Sequence, residues 1–275
     1  MLDAIEQAAA LFVQARRSGE PIRELAASLR PQSAEQTNAI IRAVTRQLGL
    51  PIGGWKITFL FRPGQGPIIA PLFAQNIFES PAQVPPSVTH SLLIEPEIAF
   101  RVVKDLPSRT APYRPEEVAE ALVACPALEL NDTRFDTAHR TLRQILDNRE
   151  TVLEAHSDHQ TSGAFVVGAG HPDWRSFDFA RQKVVMRQGD RVLVDRTGGH
   201  ALADPFLPAV VLANALRNDD GLNAGQVVAT GSFSGFFAVA ADEPVAVEFE
   251  GFGAARATFL SHEEERGPGE HSNQR

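Results

Sequence analysis

"LLIEPEIAFRV", residues 92–102, sets two glutamates two positions apart inside an otherwise apolar run. The run suits a β-strand, where successive side chains point to opposite faces. Glu95 and Glu97 then share one face, while Pro96, Ile98, Phe100 and Val102 line the other. Two carboxylates on one face repel unless water screens them or something positive sits between them. Pro96 lacks an amide donor, which suits a strand start, an edge or a bulge. Periodicity leaves two readings open here: a solvated strand face and part of a cation site.

Outward from this stretch, the chain alternates in the same way many times. "GGWKITFLF" (53–61), "VACPALEL" (123–130) and "TSGAFVVG" (161–168) read as strands, and "QKVVMRQGDRVLV" (182–194) as a hairpin turning at Gln188, Gly189 and Asp190. "GQVVATGSF" (225–233), "PVAVEF" and "ARATFL" complete the strand set. Helical spacing predicts two helices at the start. The first carries Ile5, Ala8, Ala9, Phe12 and Val13, and the second carries Ile40, Ile41, Val44 and Leu48. Ser33 with Gln36 forms a capping-box pattern, and Gly49 with Pro51 beyond it stops that helix. A short helix is expected near Pro115, and a longer one from Asp204 and Pro205 to about Arg217. Many strands with few helices between them imply an α+β protein with a mixed or antiparallel sheet system. A Pro-rich connector at 80–90 divides the chain into an N-terminal α+β part (1–80), a second part (81–260) and a polar tail (261–275) in which His262 and His271 are discounted as ligands.

Composition narrows the function. The 275 residues are 43% hydrophobic and 22% charged, as in an ordinary globular protein, and the net charge of −8 argues against nucleic acid or an anionic membrane as partner. The single cysteine, Cys125, lies in an apolar setting that suits a buried inert thiol, and it excludes an intrachain disulfide. The first residues lack the pattern of a signal peptide and no stretch has the length of a membrane helix, so a cytoplasmic setting is expected.

Glu129 shares a strand face with Val123, Cys125 and Ala127 and is followed by Asn131, Asp132 and Arg134. Three carboxylates at strand ends, with no histidine or cysteine at metal spacing near them, would suit a hard cation such as Mg2+, with Mn2+ as a substitute. Lys56 shares a face with Thr58 and Leu60, either as a snorkelling surface lysine or as a cation aimed at an anionic substrate.

The blocks "GGWKITF", "IEPEIAFRV", "PALELNDTRF", "SDHQTSGAFVVG", "GGHALADPFLPAVVLANAL" and "GLNAGQVVATGSF" occur here in order. In this they resemble the 2-keto-4-pentenoate hydratase and 2-oxo-3-hexenedioate decarboxylase family of the fumarylacetoacetate hydrolase-like superfamily. The resemblance covers most of residues 50–235. It implies a mixed β-sheet or β-roll core for 81–260, a smaller helical N-terminal part, a homo-oligomer, and a role in the degradation of aromatic compounds. Carried over residue by residue, Glu95, Glu97 and Glu129 would hold Mg2+ or Mn2+, and Lys56 would lie at the substrate. Ser162, His200 and Thr230 would contact the substrate, with Gly231 completing the turn near its carboxylate. His159 stands where the family has asparagine, and Ala201 where it has proline. The segment 135–154, with Arg140, Arg143 and Arg149, looks longer than usual.

The reaction implied is addition of water to a 2-hydroxy-2,4-dienoate to give a 4-hydroxy-2-oxo acid. The metal would chelate the substrate carboxylate and adjacent oxygen and stabilise enolate charge. Lys56 would orient the carboxylate or move a proton, with Asp132 or Asp158 as acid/base partners. The competing expectations are a 2-oxo-3-hexenedioate decarboxylase, for which the arginines of 140–149 would receive a second carboxylate, an acylpyruvate C–C hydrolase, and a catalytically silent partner of a pathway enzyme.

Overall fold

The computed structural model describes residues 2–60, 63–88, 91–138 and 141–261. The expected tail beyond Ser261, with His262 and His271, and also Phe61 and Arg140, lie outside the described residues. The chain opens with helices α1 (Leu2–Ser18) and α2 (Ala34–Leu48), packed through Ala8, Ala9, Phe12, Ile40 and Val44. Ser33 caps α2 by accepting from the Gln36 N–H, and Gly49 ends it at a φ of 63°. The reciprocal half of the expected capping box differs, because the Gln36 side-chain oxygen Oε1 accepts from the Gln32 N–H instead of the Ser33 N–H.

Strands β1 (Ile52–Thr58), β2 (Ile68–Phe73), β3 (Ile77–Glu79) and β4 (Ala82–Val84) follow, then β5 (Leu93–Val102). Helix α3 (Pro115–Glu120) leads into β6 (Leu122–Asn131). Two six-residue helices, α4 (Leu142–Asp147) and α5 (Val152–Ser157), precede β7 (Ser162–Val167). The expected hairpin is β8 (Lys183–Gln188) with β9 (Arg191–Thr197), and the expected late helix is α6 (Phe206–Leu216). The chain closes with β10 (Val227–Ala229), β11 (Phe237–Ala238), β12 (Val245–Phe249) and β13 (Gly253–Phe259).

Among the described residues these strands make two mixed sheets. One runs β2-β1-β10-β5-β6-β7-β3 with β11 also on β5, and the other runs β4-β13-β12-β8-β9. Strands from 52–79 thus share a sheet with β5 and β6, and the Pro-rich connector contributes β4 to the second sheet by pairing with β13. The sheets pack through Ile98, Phe100 and Leu128 on one side and Val247, Phe249 and Phe259 on the other. The opposite face of the first sheet buries Ala99, Cys125, Ala127, Phe165 and Ala229.

Pro96 departs from expectation. It lies inside a central strand whose ladder with β6 runs unbroken from Leu93 to Val102. Its missing donor is tolerated because its other edge faces the gap between β10 and β11, where its carbonyl accepts from the Phe233 N–H. The 225–233 stretch is likewise shorter as a strand than expected: β10 ends at Ala229, and Thr230 and Gly231 leave the ladder at a Gly231 φ of 114°.

Just before β7, His159, Gln160 and Thr161 all adopt the left-handed region, with φ of 49°, 54° and 59°. Such conformations cost L-residues roughly 1–2 kcal/mol each, so tertiary bonds must hold them. The Gln160 Nε2 donates to the Lys56 carbonyl at 3.0 Å and to the Ile68 carbonyl at 2.9 Å. That tie joins the β7 end of the sheet to β1 and β2, so the sheet curls and its inner face carries Lys56 and the glutamates. No helix among the described residues is long and apolar enough to cross a membrane.

Candidate active site

Glu95 and Glu129 stand directly opposite each other in the β5–β6 ladder, and Glu97 lies two residues along on the same face. Their exposures are 8%, 0% and 0%, which removes the solvated-face reading. One carboxylate oxygen from each lies within 4.8 Å of the others. Burial, then repulsion from Glu129 and Glu95, pushes Glu97 well above the usual carboxylate range. Burial also pushes Glu95 up to about 7, against the pull of Lys56. Glu97 Oε1 and Glu129 Oε1 are buried without hydrogen-bond partners. An all-oxygen donor set with unpaired buried lone pairs and mutual repulsion is an arrangement that a hard divalent cation relieves. The residues present fit such an ion.

Lys56 supplies the positive charge within this group. Its Nζ lies 2.6 Å from Glu129 Oε2 and 4.0 Å from Glu95 Oε1, and the side chain is 7% exposed, so it does not snorkel. Burial pulls its pKa down, but Glu129, Glu95 and Glu97 together hold it above the ordinary lysine value. The Nζ also donates to the Gln160 carbonyl at 3.4 Å.

The end of β10 fixes Glu97 from the other side. The Thr230 N–H donates to Glu97 Oε2 at 3.2 Å, and the Thr230 hydroxyl donates to the Ile98 carbonyl at 2.8 Å. His200 Nε2 lies 3.0 Å from the Thr230 carbonyl and its Nδ1 accepts from the Leu202 N–H. A carbonyl only accepts and an amide N–H only donates, so the ring is the neutral Nε2–H tautomer. Burial lowers its pKa in the same direction. His200 therefore supports the carboxylates through Thr230.

The two aspartates have different surroundings. Asp158 is fully buried and accepts from Arg16, the Arg134 guanidinium, the Arg134 N–H and the Thr133 hydroxyl. Asp132 pairs with Arg134 at 3.2 Å and borders a cavity beside the N-terminal end of β5. Ser162 borders a narrow cleft with Phe73, Asn76 and His159. The His159 ring lies against Phe73 and meets the Thr45 hydroxyl at 3.2 Å, and burial holds it neutral. Arg16, Arg134 and Gln160 are the residues that sequence reasoning assigned no role. Arg134 and Gln160 lie inside the recognisable blocks. Arg16 gave no signal, because its partner Asp158 is 142 positions away.

A "2-keto-4-pentenoate hydratase" of Paraburkholderia xenovorans is 25% identical over 269 residues, 94% of this chain and 96% of the relative. A "2-keto-4-pentenoate hydratase 2" of Dechloromonas aromatica is 27% identical over 266 residues, covering 93% and 97%. The chain is thus similar to 2-keto-4-pentenoate hydratases along almost its whole length. No family model matches it. Its fold is shared with solved structures. The solved 4-oxalocrotonate decarboxylase of Pseudomonas putida G7, complexed with magnesium and adipate, overlays with a TM-score of 0.75 at 19% identity. That match covers 94% of this chain and 98% of the decarboxylase.

Proposed function

We propose that the protein is a metal-dependent hydratase that adds water to a 2-hydroxy-2,4-dienoate, giving a 4-hydroxy-2-oxo acid. The observation that carries this reading is the buried Glu95, Glu97 and Glu129 cluster with Lys56 against it, in a chain similar to hydratases over almost its whole length. Glu95, Glu97 and Glu129 would hold Mg2+, with Mn2+ as a substitute. When bound, the ion supplies Lewis acidity to the substrate's carboxylate and 2-oxygen.

The chain's own groups do the rest. Lys56 is kept as an ammonium by its neighbours, so it is suited to hold the substrate carboxylate and to give a proton during ketonisation. In that step the enol oxygen loses its proton and C5 gains one, leaving an α,β-unsaturated ketone. Water then adds, with hydroxyl at C4 and hydrogen at C3. Asp132, at the cavity wall, is assigned to take the water's proton, and Asp158, enclosed by two arginines, to position the 158–161 turn. Thr230 and His200 hold Glu97 in place, and Ser162 is assigned to the substrate side of β7. The likeness to hydratases also carries the expectation of a cytoplasmic homo-oligomer acting on products of aromatic-ring cleavage.

The test is turnover of 2-hydroxypenta-2,4-dienoate with Mg2+. Loss of the dienol absorbance without release of CO2 is expected. Stoichiometric CO2 from a dicarboxylate substrate would make the protein a decarboxylase instead, and cleavage of acylpyruvates would make it a C–C hydrolase.

A further inference from the structure

The narrow cleft beside Ser162 has a volume of about 10 Å³, and Arg16, Asn76 and His159 all border it. Each of these three residues keeps one buried polar atom without a hydrogen-bond partner: Arg16 Nε, Asn76 Oδ1 and His159 Nδ1. His159 is only 2% exposed, so bulk water does not serve its ring. Three buried polar atoms left unpaired are costly, and folded proteins pair nearly all of theirs.

The other bonds of each residue fix what its free atom can do. Arg16 donates through Nη2 to Asp158 at 2.7 Å, which leaves Nε–H as a spare donor. Asn76 Nδ2 donates to the Gly163 carbonyl at 2.8 Å, so Oδ1 is a spare acceptor. The Thr45 hydroxyl donates to the Ile41 carbonyl at 2.7 Å, so its oxygen accepts from His159 Nε2 at 3.2 Å. The ring is then the Nε2–H tautomer, with Nδ1 as a second spare acceptor. One donor and two acceptors remain. A metal cation would meet the Arg16 guanidinium, and an anion would meet two lone pairs. A water molecule accepts from Arg16 Nε and donates to Asn76 Oδ1 and His159 Nδ1. Three partners and about 10 Å³ are what one buried water needs.

We propose that this cleft binds one resident water molecule, and that Arg16, Asn76 and His159 act through it as positioning residues for Lys56. The role given to Lys56 rests on the hydratase reading. His159 opens the left-handed turn, and the next residue, Gln160, holds Lys56 twice. Its Nε2 donates to the Lys56 carbonyl at 3.0 Å, and its carbonyl accepts from Lys56 Nζ at 3.4 Å. The water thus ties α1, through Arg16, and the segment before β3, through Asn76, to the turn that sets the Lys56 ammonium against the glutamates. This also gives a task to His159, which stands where the resembled family has asparagine.

The experiment is a crystal structure of the full chain with Mg2+, at a resolution that orders water, with His159→Phe and Asn76→Leu solved beside it. One water within hydrogen-bond distance of Arg16 Nε, Asn76 Oδ1 and His159 Nδ1 is expected, and it should be missing from both variants. Turnover of 2-hydroxypenta-2,4-dienoate gives the second readout. Each variant should lose about tenfold in kcat, with KM held within about twofold. The double variant should lose little more than the worse single one, because both substitutions remove the same water. Asn76→Leu alone carries the test should His159→Phe not fold. A dry cleft, an ion in it, direct pairing among the three atoms, an unchanged kcat in the variants, or losses that multiply in the double variant overturns the proposal. No turnover by the unaltered protein sinks the hydratase reading, and the density in the cleft then still upholds or overturns the water site.

Discussion

At the scale of single residues, charge balance decides the site. Lys56 is the cation closest to the Glu129 carboxylate, at 2.6 Å, and both groups are buried. Lys56→Met therefore leaves buried carboxylates without compensation, and the metal-free protein should lose about 3–5 kcal/mol in urea unfolding. Mg2+ should restore much of that stability but not activity, which should stay about 10²–10⁴-fold down if Lys56 handles a proton. Recovery of activity along with stability would make Lys56 a structural residue. Cys125 behaves oppositely. It is 0% exposed, and burial pushes its thiol up to about 11. It should be inert to a thiol-reactive disulfide reagent in the native protein and react only at the rate of unfolding. The apolar setting of Cys125 made this legible in the sequence. The burial of Lys56 was not, because snorkelling and inward-facing lysines share the same strand pattern.

At the scale of elements, the three-residue left-handed turn at 159–161 matters most. It is held by Gln160, whose amide bridges the Lys56 and Ile68 carbonyls. Gln160→Ala should cost about 2 kcal/mol through these lost bonds. Gln160→Gly loses the same bonds but accepts φ of 54° freely, so it should be more stable than Gln160→Ala by about 1 kcal/mol, reversing the usual order inside regular structure. Equal urea midpoints for the two variants would show that the turn stores no strain. No residue in "SDHQTSG" signals a left-handed conformation, since none before Gly163 is a glycine. The long periodic elements were legible: α2 with its Ser33 cap, β5, β6, and the β8–β9 hairpin. Helices α4 and α5 were missed because six residues are too few to establish a period.

At the scale of the whole molecule, the carboxylate cluster couples stability to pH and to metal. Glu95 is raised from 4.5 to about 7 in the fold. The folded state then binds more protons than the unfolded chain between those values. Its stabilising contribution is full below about 4.5 and is lost as pH rises through about 7. Thermal melts of the metal-free protein should accordingly show falling stability from pH 5 to pH 8, on the order of 3 kcal/mol. Mg2+ at about 100 times its Kd should add about 2.7 kcal/mol at the upper end and flatten the profile. Glu129→Gln should abolish that response to Mg2+. A metal-free profile that rises with pH over this range would rule out a proton-sharing carboxylate cluster.

The sequence by itself determined the α+β class, the strand faces of Glu95, Glu97 and Glu129, and through its ordered blocks the relatives to which the chain is similar. These are local or collinear properties: a strand's period is written in adjacent residues, and block order survives as text. Only the tertiary structure decided that Glu95 faces Glu129, that Lys56 closes on both, that Arg16 and Arg134 enclose Asp158, and that Pro96 can sit mid-sheet. Each depends on which strands become neighbours and how far the sheet curls. Those outcomes are set by packing between residues far apart in the chain, where one-dimensional pattern carries no distance.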